Sequence, residues 1–197
     1  MSQLKILQDP NQIPTTRQLA VGDIGINYYD GRGYFKRVRG QEQKIIPFSN
    51  ILAYGQWQNN STLSGSANVS QSFQYDTTDL TYGTSLVDNT KITVVEAGVY
   101  NLQFSAQLEE PGGGAATLYI WFRKNGINIP ESATALDLAN KGKQVAAWNF
   151  MTYCNAGDYL DIVWQSNNDA TRIVATPPIP PNIPAIPSII TTITQIQ

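Results

Sequence analysis

The sequence predicts an all-β chain, a jelly-roll β-sandwich preceded by a short β-hairpin arm, and three observations predict it. Only 14% of the 197 residues are charged, against about 25% in an ordinary soluble domain, while Thr, Val, Ile and Tyr are plentiful. Short runs of alternating apolar and polar residues recur between Gly, Pro and Asn turn signals. No amphipathic helical pattern competes with them; residues 131–141 are the best helical candidate and a weak one.

Residues 1–50 hold most of the basic side chains and form the expected arm. Val21, Ile24 and Ile26 lead to Tyr28 and Tyr29, Asp30-Gly31 is a strong turn signal, and residues 34–38 return as a second strand. An isolated hairpin is marginal in water, so its apolar set, Leu19, Val21, Ile24, Ile26, Tyr34 and Phe35, needs cover from the head or from another chain. The nearby cluster of Arg32, Lys36, Arg37 and Arg39 reads as a solvated hairpin face or a salt-bridging surface for an acidic partner.

Residues 51–197 read as the head. Tyr100, Leu102, Phe104, Ala106 and Leu108 alternate strictly with polar residues, which places a strand with one buried face at residues 99–108. Pro111 and Gly112 to Gly114 then break the chain and read as a hairpin loop, residues 118–123 form the next strand, and Asn125-Gly126 turns it. Further strands are expected at residues 144–153 and 159–165, with weaker ones at 70–75, 91–95 and 172–175. The proline-rich residues 176–188 cannot sit in a central strand and read as a stiff extended connector to a last β-branched strand at 189–196.

The chemistry expected of an enzyme is missing. The sequence has no histidine, so the commonest general base and metal ligand is absent, and its single cysteine, Cys154, follows an apolar-rich strand and reads as a buried inert thiol. Glu109 and Glu110 are neighbours on a strand and point to opposite faces, so they cannot share a site. Asp76, Asp79 and Asp88 match no dedicated calcium loop, and whether calcium binds stays open. The triple glycine lacks the Lys-Ser or Lys-Thr that a phosphate-cradling loop requires. No cofactor is therefore expected and no enzymatic activity. A net charge of -2 gives no footprint for nucleic acid, and neither a signal peptide nor a membrane-inserted span of about 20 residues is visible.

Two strands carry bulk on both faces. Leu118, Ile120 and Phe122 alternate with Tyr119 and Trp121, and Trp148 and Phe150 alternate with Val145, Met151 and Tyr153. A sandwich has one interior, so the second apolar face points to a subunit interface. Tyr119, Trp121, Met151 and Tyr153 are the expected interface residues.

These strands also carry a resemblance. Gly98-Val99-Tyr100, Lys124-Asn125-Gly126 and Gly157-Asp158, followed by a β-branched C-terminal strand, resemble in that order the tumour-necrosis-factor and complement globular-head superfamily of jelly rolls, over about residues 52–197. Separately, residues 14–37 look like the module near the N-termini of phage tail-fibre and related virion proteins. Leu19, Gly22, Ile26, Asn27, Asp30, Gly31 and Lys36 match its pattern; Asp23 stands for its usual Glu, and Gly33 splits the return strand. Together the resemblances imply a bacteriophage structural protein made in the host cytoplasm and carried into the virion. It would be a homotrimer whose N-terminal arm attaches to other virion proteins of tail or capsid. Two roles follow: a tail fibre or receptor-binding subunit that meets a host-surface glycan or protein, or, alternatively, a capsid decoration protein that stabilises the phage head.

Overall fold

The computed structural model describes residues 3–9, 12–29, 31–48 and 52–196, and within them every regular element is a β-strand. The chain divides into two compact units, residues 1–51 and 52–197. The boundary expected between residues 50 and 51 falls outside the described residues, as does Asp30 of the expected turn.

The first unit is a four-stranded sheet of β1 (Leu4–Leu7), β2 (Ile24–Asn27), β3 (Arg32–Arg39) and β4 (Glu42–Pro47), in that order. β1 runs parallel to β2, and the other pairs are antiparallel. One face packs on the segment between β1 and β2. Leu19 lies over Gly25, where its Cδ1 is 3.3 Å from the position a Cβ would take, and Lys36 Nζ donates to the Thr16 carbonyl at 2.8 Å. Leu7, Leu19 and Tyr34, with Ile45 against them, make the core of this face. Asp23 closes the segment by accepting from the Gln3 and Ala20 amides at 2.9 and 3.0 Å, and those bonds hold its carboxyl below the ordinary value.

The second unit is a sandwich. Its front sheet runs β8 (Thr77–Tyr82), β5 (Tyr54–Asn59), β18 (Ile189–Gln195), β11 (Gly98–Glu109) and β15 (Lys143–Cys154), with the short β17 (Arg172–Ile173) and β6 (Leu63–Ser64) continuing it beside the end of β11. The back sheet runs β12 (Ala116–Lys124), β16 (Tyr159–Ser166), β10 (Lys91–Val94) and β9 (Thr84–Val87). Its β12 edge is covered by β13 (Ile127–Asn128) and β14 (Thr134–Leu138), and β7 (Gln71–Ser72) lies beside β16. The first strand of the unit pairs with the last, and the chain crosses between sheets from β10 to β11, β11 to β12, β14 to β15 and β15 to β16. This is jelly-roll topology, as the sequence predicts.

Period-two burial builds the interior. Tyr100, Leu102, Phe104, Ala106 and Leu108 of β11 all point inward, facing Leu118, Ile120 and Phe122 of β12 and Leu160, Ile162 and Trp164 of β16. Aromatic rings bridge the sheets, Phe104 meeting Phe122 edge-on at 6.1 Å and Phe122 stacking on Phe150 at 4.9 Å, while Phe104 also meets its front-sheet neighbour Trp148 at 4.6 Å.

The weak helical candidate at residues 131–141 is no helix: it contains the strand β14, which pairs with β12 from Ala116 to Ile120 and buries Leu138 in the core. Two expectations are corrected. Gly112 to Gly114 do not close a hairpin; they carry the chain from the front sheet to the back one. The proline-rich segment is not an extended connector but folds back on itself. Ile179 and Ile183 exchange amide-to-carbonyl bonds at 3.0 and 3.1 Å, and Thr176 and Ile186 do so at 2.8 Å, so the prolines fall where no amide donor is needed.

Phe122 is buried against two aromatic rings of the facing sheet, Phe104 and Phe150, so Phe122→Ala should lower the unfolding free energy by about 3–5 kcal/mol in chemical denaturation. A loss under about 1 kcal/mol would mean that the interior recloses around the site.

Candidate assembly surfaces

With the interior filled, the outward faces of the second unit differ in charge. On the front sheet, register aligns outward side chains in rows: Tyr82, Tyr54, Thr194, Asn101 and Met151; then Leu80, Gln56, Thr192, Gln103 and Asn149; then Gln58, Ile190, Ser105 and Ala147. None is charged. Asp79, which accepts from Gln56 Nε2 at 2.9 Å, sits on the edge strand, and the Glu109–Lys143 ion pair at 3.1 Å closes one end. Tyr54 and Tyr82 stack at 6.0 Å, Asn149 donates to Asn101 at 3.0 Å, and a shallow depression of about 220 Å³ lies along Gln103, Ser105, Ile190 and Thr192. The face is almost uncharged, broad and only partly apolar.

The back sheet carries ions instead. Arg123 on β12 meets Asp161 on β16, its register partner, and both its guanidinium and the carboxylate bond the Ser72 hydroxyl, at 2.6 and 2.7 Å. Asp161 is buried, and holding it there requires that cation and hydroxyl. Lys91 pairs with Asp88 at 2.7 Å and lies over the Tyr159 ring, and the pairing holds its ammonium above the ordinary value.

The residues expected at an interface fall on both surfaces. Met151 and Tyr153 stand on the outward face of β15, at the edge of the front sheet, 60% and 55% exposed. Tyr119 and Trp121 stand on the outward face of β12 in the back sheet. Tyr119 is 42% exposed, and Trp121 is half-buried, with its indole N–H donating to Asn128 Oδ1 at 2.8 Å. The structure thus brings these residues together in pairs, one pair per sheet. Between β12 and β15, at the open edge of the sandwich, Lys124, Ile127, Ile129, Pro130 and Thr152 line a pocket of about 330 Å³.

The attachment residues expected in the first unit also separate by face. Leu19 and Tyr34 belong to its core, whereas Ile24, Ile26 and Phe35 point to the opposite side of the sheet, with Ile24 and Phe35 exposed. Val21 is exposed in the turn before β2. The sequence does not single out Leu4, Ile6 and Phe48, which extend that outer face. Their alternation is too short to stand out from one strand at a time.

Several separate sequence motifs converge. Asn125, in the left-handed region at φ 51°, turns β12 into β13. It donates through Nδ2 to Asp158 at 2.8 Å and accepts from the Tyr159 amide at 3.0 Å. The Asn125 and Asn155 donors hold the Asp158 carboxyl below its ordinary value. Gly98 lies opposite Cys154 nearby, so all three short motifs meet at one end of the sandwich. At the other end, Glu109 and Glu110 point apart. Glu109 reaches Lys143, while buried Glu110 accepts from the Gly112 and Gly113 amides at 3.2 and 2.6 Å and from Thr171 at 3.2 Å. That carboxylate pins the inter-sheet crossing. Asp76, Asp79 and Asp88 bond separate partners and form no metal-binding cluster among the described residues.

No protein-family model and no curated protein matches the sequence. Among solved structures, the chain is similar to the globular domain of the zebrafish complement 1qA protein, with 12% identity over 74% of this chain and 98% of that one and a TM-score of 0.46. It is also similar to murine APRIL, with 8% identity over 74% and 99% and a TM-score of 0.47.

Cys154 is fully buried, and burial pushes its thiol up to about 11, which leaves about one thiolate in a thousand at pH 8. An aromatic disulfide reagent at pH 8 should therefore titrate one thiol in the denatured chain and none within minutes in the folded one. Rapid labelling of the folded chain would contradict the burial.

Proposed function

We propose that the chain is a structural subunit of a bacteriophage virion: a homotrimeric tail fibre or receptor-binding protein, anchored to the particle by residues 1–51 and presenting the jelly roll outward. The observation that carries the assembly part is the charge asymmetry of the sandwich. A five-stranded face without a charged side chain at its centre lies opposite one laced with ion pairs. Interfaces are depleted of charge at their centre and enriched in Tyr, Trp and Met. The phage assignment is supported by the resemblance of residues 14–37 to a virion-attachment module.

A cyclic trimer is built from heterologous contacts, in which one patch of each subunit meets a different patch of the next. The division of the expected interface residues suits that geometry. The front face with Met151 and Tyr153 supplies one patch, and the β12 side with Tyr119 and Trp121 supplies the other. The exposed loops at the ends of the sandwich are left for a host-surface glycan or protein.

The purified chain should sediment as a trimer at micromolar concentration. Met151→Asp combined with Tyr153→Asp should yield a folded monomer, since both side chains are solvated in the isolated subunit. A monomeric wild type, or a doubly substituted chain that stays trimeric, sinks the proposed interface.

Deleting residues 1–51 should leave a folded trimeric head that no longer joins particles. Incorporation of the truncated chain at the full-length level would place attachment in the head. Counting copies per particle separates a fibre, with tens or fewer, from a capsid decoration protein, with hundreds.

A further inference from the structure

We propose that the outward face of the first unit's sheet is a docking surface for a protein whose own apolar patch is bordered at one end by carboxylates. The inference rests on the reading of residues 1–51 as an attachment unit and names the surface and the chemistry of its partner.

The face is defined by register. Leu4, Ile24, Phe35 and Ile46 form one row across the four strands, and Ile6, Ile26, Gly33 and Phe48 form the next. The second row stays continuous because the Phe48 ring lies on Gly33, where any Cβ would collide with it, and the Phe35 and Phe48 rings are 6.2 Å apart. Leu4, Ile6, Ile24, Phe35 and Phe48 are all exposed. The other side of the sheet is already occupied by Leu19 and its neighbours, and among the described residues its buried hydrophobic cluster is small, Leu7, Leu19 and Tyr34. A contiguous apolar face larger than the unit's own core is a site awaiting cover, not scattered surface hydrophobics.

Charge says what covers it. Continuing the same face along β3 and β4, the next register pairs are Arg37 with Lys44 and Arg39 with Glu42. Glu42 is engaged by Arg37 at 3.5 Å, and Arg39 and Lys44 have no ion-pair partner among the described residues. The apolar rows therefore end in two uncompensated cations, in a unit with seven basic against four acidic residues. A second copy of this face offers the same cations and no spare carboxylate. A partner with carboxylates beyond its apolar patch matches both parts. An anionic membrane would also attract the cations. However, these apolar side chains are fixed in two rows by strand register, a relief that suits a rigid complementary surface better than a fluid one.

The test uses the full-length chain and particles assembled without it. Wild type should add to them, and addition should weaken as salt rises. Ile24→Ser with Phe35→Ser, and separately Arg39→Glu with Lys44→Glu, should each reduce addition by about tenfold or more. The charge-reversed pair alters only exposed side chains, so it reads the rim even if the serine pair misfolds. Addition of the charge-reversed chain at the wild-type level overturns the proposal while leaving particle attachment intact. If wild type itself fails to add, the attachment reading falls and this inference with it. Two further results overturn the partner's chemistry. One is co-sedimentation of wild type with phosphatidylcholine–phosphatidylglycerol vesicles that the Arg39→Glu, Lys44→Glu chain loses. The other is efficient face-to-face crosslinking of an Ile24→Cys chain by a short bismaleimide, which buried Cys154 does not obscure.

Discussion

The second unit depends on the contact of Phe104 with rings from both sheets. Phe104 sits midway along β11 and touches Phe73, Phe122 and Trp148, and Phe73 in turn touches Trp164. Phe104 thus ties the central front strand to β12 and β15 directly, and to β16 through Phe73. Once Phe104 points inward, the two-residue period of the strand forces Gln103 and Ser105 outward, and the ladders carry that choice to Thr192, Gln56 and Asn149. The composition of the outer face is therefore bound to the packing of the core. Slipping any one of these strands by a residue would expose its apolar set and bury amides in its place.

That linkage explains why so few charges serve the whole chain. The polar outward positions on the front sheet are held by Gln, Asn, Thr and Ser instead of ions, and these stay hydrated when exposed and pay a smaller desolvation penalty than ions when covered. The back sheet keeps its central ion pair because the ladder places the two partners, Arg123 and Asp161, directly opposite each other on β12 and β16. Glu110 is a buried charge handled differently. With no cation among its bonded partners, its carboxylate is satisfied by two loop amides and a hydroxyl, and that requirement shapes the glycine loop between the sheets. Gly113 has no space for a side chain there, since a Cβ would lie 2.7 Å from Ala170 and 2.9 Å from Asn168 Oδ1.

The parts of the fold legible in the sequence are those where the core sees one face of a strand. β11 is plain because every inward residue is apolar. β5 is not, because its inward positions are Gly55, Trp57 and Asn59: the Trp57 ring occupies the space over Gly55, and Asn59 donates to the Gln74 carbonyl at 2.7 Å, so a buried strand reads as polar. β8 is an edge strand exposed along nearly its whole length and carries no pattern to read. Turn chemistry told where the chain bends but not which strands it joins: Asn125-Gly126 closes a true hairpin, whereas Gly112 to Gly114 cross between sheets. The excess bulk on two strands, from which an interface is expected, was legible in the sequence. Its division between the two sheets was not, because pairing partners are not written in local alternation.

The first unit follows the same rule with a different balance. Its sheet also has one face packed and one outward, but among the described residues its hydrophobic core is only Leu7, Leu19 and Tyr34, and the buried Tyr34 hydroxyl has no hydrogen-bond partner there. Such a core contributes little against the chain entropy of some fifty residues. Local polar closures compensate in part: Asp23 holds two backbone amides, Asn27 donates to the Asp9 and Gln12 carbonyls, and Lys36 clamps residue 16. These bonds fix the shape of the packed side and leave the apolar rows to be satisfied from outside. Anything that covers those rows binds the folded unit and not the unfolded chain, so occupancy and folding are thermodynamically one equilibrium. The residues that make the face sticky are thus also those through which a partner would stabilise the unit.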